Sequence, residues 1–131
     1  MKILLDTHTL VLMALEPERL SNHAQDRIEA IQTREILVSS FSLWEVCKLV
    51  QKRKLFLNKP VQEWFAEISR QPKITIVDVS AEIALESCHL PGIFHSDPAD
   101  QIIVATARIH GATLLTKDEK ILDYPHVKSE W

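Results

Sequence analysis

Apolar residues in this chain fall in short blocks separated by polar turns and punctuated by proline. Lys2 to Leu5 forms a brief run suited to a buried strand and ends at Asp6, after which Thr7 to Leu15 reads as a helix halted near Pro17. Ser21 predicts the N-cap of a helix running to about Ile31, and Ile36-Leu37-Val38-Ser39 reads as a second buried strand. The next helix is expected from about Ser42. Leu43, Val46, Cys47 and Val50 stand there at i, i+3, i+4 and i+7, while Lys48, Lys52, Arg53 and Lys54 mark its other face and exit. Pro60 suits the first turn of a helix with Val61, Trp64, Phe65 and Ile68 on one side; Pro72 then precedes the strand Ile74-Thr75-Ile76-Val77. Ser80 predicts the cap of a further helix that stops by Pro91-Gly92. A loop delivers His95, Ser96 and Asp97 to a helix from Pro98 to Gly111, whose middle, Ile103 to Ala107, is small enough to pack closely on a sheet. Thr113 to Thr116 is the last predicted strand and Lys117 to Leu122 a short helix; Tyr124 to Trp131 is assigned no element.

Strands alternate with helices and no hairpin signals intervene. That alternation predicts a three-layer α/β/α sandwich around a mostly parallel sheet. The 131 residues, 46% of them hydrophobic, are expected to form one domain, residues 1–131. No signal peptide or membrane span is legible, so a cytoplasmic protein is expected. Cys47 and Cys88 lack metal-motif spacing and fall on apolar stripes, which predicts buried, reduced thiols.

The acids fall at particular places along this pattern. Asp6 ends the first strand, Glu45 lies in the first turn of the helix after the second, Asp97 and Asp100 open the Pro98 helix, and Asp118 follows the last strand. In a parallel sheet those places converge on the rim where such folds bind ligands. Carboxylates gathered there repel one another unless a cation offsets them, and oxygen ligands suit Mg²⁺ or Mn²⁺. Such an ion supports phosphodiester hydrolysis. Each acid alone also has a plainer explanation: Ser42 with Glu45 and Thr116 with Glu119 fit capping boxes, Asp97 is a good N-cap, and Asp100 is favoured by the helix dipole. Recurrence over four segments favours a site.

Charge opposes this reading at first. Fifteen basic residues against eighteen acidic ones give a net charge of −3, whereas nucleic-acid binders are commonly basic. With the five rim acids set aside, thirteen acidic residues remain against fifteen basic ones. A bound cation would cancel part of the cluster, so the balance weakens a nuclease without excluding it.

The segments Ile3 to His8, Ser39 to Val46, His95 to Asp100 with Ile102 to Ala107, and Leu114 to Asp118 together resemble, in order, the four signature blocks of PIN domains, most closely the VapC-like toxins of toxin–antitoxin pairs. The resemblance spans Met1 to about Tyr124. It implies that Asp6, Glu45, Asp100 and Asp118 form an acidic Mg²⁺ or Mn²⁺ site, with Asp97 an extra acid serving as helix cap or outer ligand. Thr7 and Thr116 would orient their neighbours. It further implies a metal-dependent endoribonuclease acting on RNA, often transfer RNA, with a cognate antitoxin that fills the groove, and a homodimer. Where this subgroup often carries Arg after the third acid, the chain has Gln101; Arg108 or Lys117 would then supply the phosphate contact.

Among the remaining residues, His8 and His95 are expected as polar neighbours of the rim. Lys48, Lys52 and Arg53 read equally as a solvated face or as phosphate binders. Trp44 is expected as a core or dimer-face aromatic rather than a base-stacking platform, and Trp64-Phe65 suits helix packing or an antitoxin groove. A haloacid-dehalogenase-like phosphatase would need an acid at His8. The non-enzyme alternatives are a Mg²⁺-binding receiver-like domain, which expects a phosphoacceptor Asp where Ser39-Ser40 stand, and a PIN fold that binds RNA or a partner without cutting. With Gly92 and Gly111 the only glycines, a P-loop is excluded.

Overall fold

The computed structural model describes residues 1–131. Its elements run β1 (Ile3–Leu5), α1 (Thr7–Leu15), a 3₁₀ turn (Pro17–Arg19), α2 (Asn22–Ala30), β2 (Ile36–Ser39), α3 (Ser40–Gln51), α4 (Val61–Arg70), β3 (Ile74–Val77), α5 (Ala81–Ser87), α6 (Pro98–His110), β4 (Thr113–Leu115), α7 (Glu119–Leu122) and β5 (Ser129–Glu130). The five strands form one sheet in the order β3-β2-β1-β4-β5, every pair parallel.

Strand periodicity divides the core between the two faces. Leu4, Leu37 and Leu114 pack with Ile83 of α5, Ile103, Val104 and Ala107 of α6, and Ile121 of α7. Ile3, Leu5, Ile36, Val38 and Leu115 pack oppositely with Leu10 of α1, Val46 of α3, and Trp64 and Ile68 of α4. The result is the α/β/α sandwich that the alternation predicts. Leu4 and Leu5 are wholly buried, so truncating either to alanine should cost about 2–5 kcal/mol.

Register and order together place the site. Leu5 pairs with both Val38 and Leu115, so Asp6, Ser39 and Thr116 end their strands at one level. The chain leaves β1 toward β2 on one side and reaches β4 on the other, which makes the carboxyl end of β1 the topological switch point where open parallel sheets bind ligands. Receiver domains instead follow the order 2-1-3-4-5, so the order found here removes that alternative.

Several local expectations need correction. Helix α3 starts at Ser40, because Ser39 Oγ caps it by accepting from Phe41 N at 3.1 Å. Ser42 therefore lies inside the helix, fully buried, and forms no capping box with Glu45. Asp118, not Thr116, caps α7, with its Oδ1 accepting from Lys120 N and Ile121 N at 2.8 and 3.2 Å. Pro60 is the N-cap of α4 rather than part of its first turn. Cys47 and Cys88 are both exposed free thiols, since each sits at the solvent edge of its helix stripe. Trp44 is 54% exposed and so is no core residue. The unassigned C-terminal segment supplies β5, a two-residue edge strand beside β4. No helix is long and apolar enough to cross a membrane.

The Pro98 helix behaves as its sequence predicts. Asp97 Oδ1 accepts from Asp100 N at 3.1 Å, and Gly111, at φ +60°, closes the helix in the left-handed region that a side chain would strain.

Candidate active site

Asp6 follows β1 directly and is held at both oxygens. Its Oδ1 caps α1 by accepting from Thr9 N at 2.8 Å, and its Oδ2 accepts from Thr116 Oγ1 at 2.5 Å. The buried Thr116 hydroxyl has one proton, given to Asp6, and it accepts in turn from Asp118 N at 3.0 Å. One threonine thus ties the acid after β1 to the acid after β4.

Glu45 is fixed by a second relay. Thr7 Oγ1 donates to Glu45 Oε1 at 2.6 Å and lies 2.9 Å from Ser42 Oγ. With the threonine proton spent on the carboxylate, Ser42 must donate to Thr7, giving the order Ser42 to Thr7 to Glu45. The family resemblance implied an orienting role for Thr7, though not Glu45 as its partner; the part played by Ser42 was hidden by its fit to a capping box.

Asp100 stands in the first turn of α6. His95 Nε2 lies 3.0 Å from its Oδ2, close but off the line of a hydrogen bond. Gln101, the residue standing where the subgroup often has arginine, turns its amide to His95 O at 3.0 Å and braces this loop.

Asp6, Glu45, Asp100 and Asp118 line one cavity of about 310 Å³ with Thr7, His8 and Lys117. Asp97 does not line it. Its carboxylate faces an adjoining polar cavity with His95, Asp100 and Lys120, and its hydrogen bond to Asp100 N makes it the helix cap. Lys48 follows Glu45 at i+3 on α3, Lys52 is the C-cap of that helix, and Arg53 follows it at φ +58°. Arg108 is not brought to the rim: it sits at the far end of α6, its Nη1 donating to His126 O at 2.5 Å and its Nε 3.7 Å from Glu86.

Electrostatics mark the same cavity. Burial pushes the Asp100 carboxyl up to about 6, helped by the charges of Asp97 and Asp118, with His95 opposing and Asp6 adding a little. Burial also raises Glu45, against the Thr7 hydrogen bond and with Asp97 and Asp6. Half-buried carboxylates clustered in one cleft, with raised pKa values, mark it as a candidate functional site. The donor set is all oxygen, and Glu45 Oε2 and Asp118 Oδ2 take no hydrogen bond from the protein, so both remain available to a hard cation. No three of these side chains are drawn into closed ligand spacing.

A family model described as PIN domain matches residues 3–127. The chain belongs to the PIN-domain family. Among individual PIN proteins it is 33% identical over 124 residues to a protein named Ribonuclease VapC22 from Mycobacterium tuberculosis, covering 95% of this chain and 92% of that one. Solved PIN-fold structures agree. A toxin–antitoxin complex from Klebsiella pneumoniae superposes with a TM-score of 0.71 at 22% identity, covering 99% of this chain and 97% of that one. VapBC2 from Rickettsia felis, bound to a DNA fragment from its promoter, gives 0.70 at 20%, covering 99% and 98%.

Proposed function

We propose that this PIN domain is a divalent-metal-dependent endoribonuclease and the toxin of a toxin–antitoxin pair. The observation that carries the reading is the convergence of Asp6, Glu45, Asp100 and Asp118, from four separate segments, on one cavity at the sheet's switch point. Support comes from the 33% identity to a VapC ribonuclease over nearly the whole chain.

Asp6, Glu45, Asp100 and Asp118 would hold Mg²⁺ or Mn²⁺. When bound, such an ion supplies Lewis-acid stabilisation of the phosphoryl oxygens and a lowered pKa for the attacking water. Thr116 and Thr7 keep the Asp6 and Glu45 carboxylates aimed at the cavity, so little reorganisation is needed when the substrate arrives. Lys117, exposed on the cavity wall, takes the phosphate contact that Gln101 does not provide. Water adds to phosphorus, one bond from phosphorus to a ribose oxygen breaks, and that oxygen is protonated as it leaves. Asp100 also borders the adjoining polar cavity, through which solvent can supply that proton.

The partner reading rests on a second feature. An apolar cavity of about 620 Å³ lies on the α4 face, lined by Met13, Ile28, Ile36, Trp64, Ile68 and Ile74 among others. Its walls fit the apolar side of a helix, and the similar folds were solved as complexes with antitoxins. An antitoxin seated there, within a homodimeric toxin, completes the reading.

Incubation of total RNA with wild type and Asp6→Asn in Mg²⁺, Mn²⁺ and EDTA, with the new ends mapped by sequencing, tests it. Site-restricted cleavage that needs metal and is lost in Asp6→Asn is expected. Folded, antitoxin-free protein that cuts nothing under any metal leaves a binding-only PIN fold.

A further inference from the structure

Beyond the acids, one face of α3 carries an arrangement that the cleavage chemistry does not use. Phe41, Trp44, Glu45, Lys48 and Lys52 are spaced at i, i+3, i+4, i+7 and i+11, so they share a stripe. Trp44 is 54% exposed although its neighbours Ser42 and Val46 are fully buried. Its ring is propped by Phe41, centroids 5.3 Å apart and planes tilted 30°, and the Lys48 ammonium lies 5.6 Å from the ring centroid. Lys48 also reaches Gln51 Oε1 at 3.3 Å, a surface contact that leaves its charge in solvent. A large aromatic side chain packed against a second ring, open to water and flanked by lysines has the form of a base-stacking platform.

Building on the ribonuclease reading, we infer that Trp44, buttressed by Phe41, stacks a nucleobase of single-stranded RNA beside the scissile phosphate, with Lys48 and Lys52 holding the phosphates that follow. Continuity decides the occupant. Glu45 is the next residue after Trp44 and lines the acidic cavity, so a strand crossing that cavity passes beside the turn of α3 that carries the aromatic ring. Charge decides it too. The acidic cavity repels a polyanion unless cations flank it, and Lys48, Lys52 and Arg53 provide positive charge along the exit of the same helix. Stacking tolerates any base, so the platform adds affinity and register more than sequence choice. On binding, a phosphate would draw the Lys48 ammonium from the ring and free that π-face for the base.

The test uses the full chain in an Asp6→Asn background, in Mg²⁺, with a short unstructured RNA followed by fluorescence anisotropy. Adding Trp44→Ala should weaken binding by about 10-fold, whereas Trp44→Phe, which keeps a π-face, should stay within about 3-fold. Lys48→Ala should lower the slope of log affinity against log salt by about one. RNA should also quench tryptophan emission, and the quench should vanish in Trp44→Phe. Equal binding by Trp44→Ala and its parent, with the quench retained in Trp44→Phe, overturns the proposal. So does a Trp44→Ala protein that binds RNA normally but sediments as a smaller species than wild type, because the face is then an interface between copies. Wild type that neither binds nor cleaves RNA defeats the ribonuclease reading itself; wild type that cleaves while Trp44→Ala binds equally well defeats the platform alone.

Discussion

The Thr116 hydroxyl donates to Asp6 Oδ2 while accepting from Asp118 N, so a single buried side chain sets both the acid after β1 and the acid after β4. Serine can repeat both bonds and valine neither. Thr116→Val is therefore expected to lower kcat by about 10- to 100-fold, with a smaller change in KM, and Thr116→Ser to retain most activity. Valine that cuts RNA at the wild-type rate would show that the two acids need no such tie.

The raised Asp100 carboxyl makes a prediction about stability. Its folded pKa, about 6, lies above the ordinary 3.8, so between these values the folded protein binds more protons than the unfolded chain. Metal-free stability should then fall as pH rises from about 4 to about 6, and Glu45, shifted the same way, should add to the fall. Asp100→Asn should flatten that slope and raise the metal-free Tm near neutral pH by about 5 °C. Mg²⁺ should raise the Tm of wild type more than that of the variant. A melting temperature that climbs with pH over this window would contradict the assignment.

How much of this was legible depended on whether one physical signal or two competed at a position. The strands β1 to β4 are short apolar runs, broken only by Thr75 in β3 and Thr113 in β4 and closed by polar residues, and nothing else competes for that pattern. The rim acids were legible because each follows a strand or opens a helix. Serines were not: Ser39 and Ser42 both suit a cap, and only packing shows that Ser39 caps α3 while Ser42 serves Thr7. Edge strand β5 has two residues and no periodicity, and it exists because β4 offers it a partner. Asp97 carried two sound readings, cap and outer ligand; its Oδ1 caps α6, just as Asp6 and Asp118 cap α1 and α7, so the cap is observed without deciding the second reading.

Exposure of both thiols is directly measurable. Cys47 and Cys88 stand free at the surface, so native protein without denaturant should titrate about two thiols per chain with a disulfide-exchange reagent, at rates close to those of the unfolded chain. Two thiols that react only after denaturation would restore the buried arrangement that the apolar stripes suggest.

Arg108 and Lys117 separate phosphate binding from scaffold support. Lys117 lines the acidic cavity and has no ion-pair partner, whereas Arg108 is occupied with His126 O and stands near Glu86, remote from the cavity. Asp100 and Arg108 are eight positions apart on α6, about 12 Å of helical rise. Lys117→Ala should thus weaken RNA binding, flatten its salt dependence by about one phosphate contact and leave the Tm nearly unchanged. Arg108→Ala should do the reverse, lowering stability by about 1 kcal/mol through the lost carbonyl contact while RNA affinity and salt slope stay at wild-type values. An Arg108→Ala protein that folds as well as wild type but binds RNA with a shallower salt slope would place the RNA path along the full length of α6 instead of over the Lys117 wall.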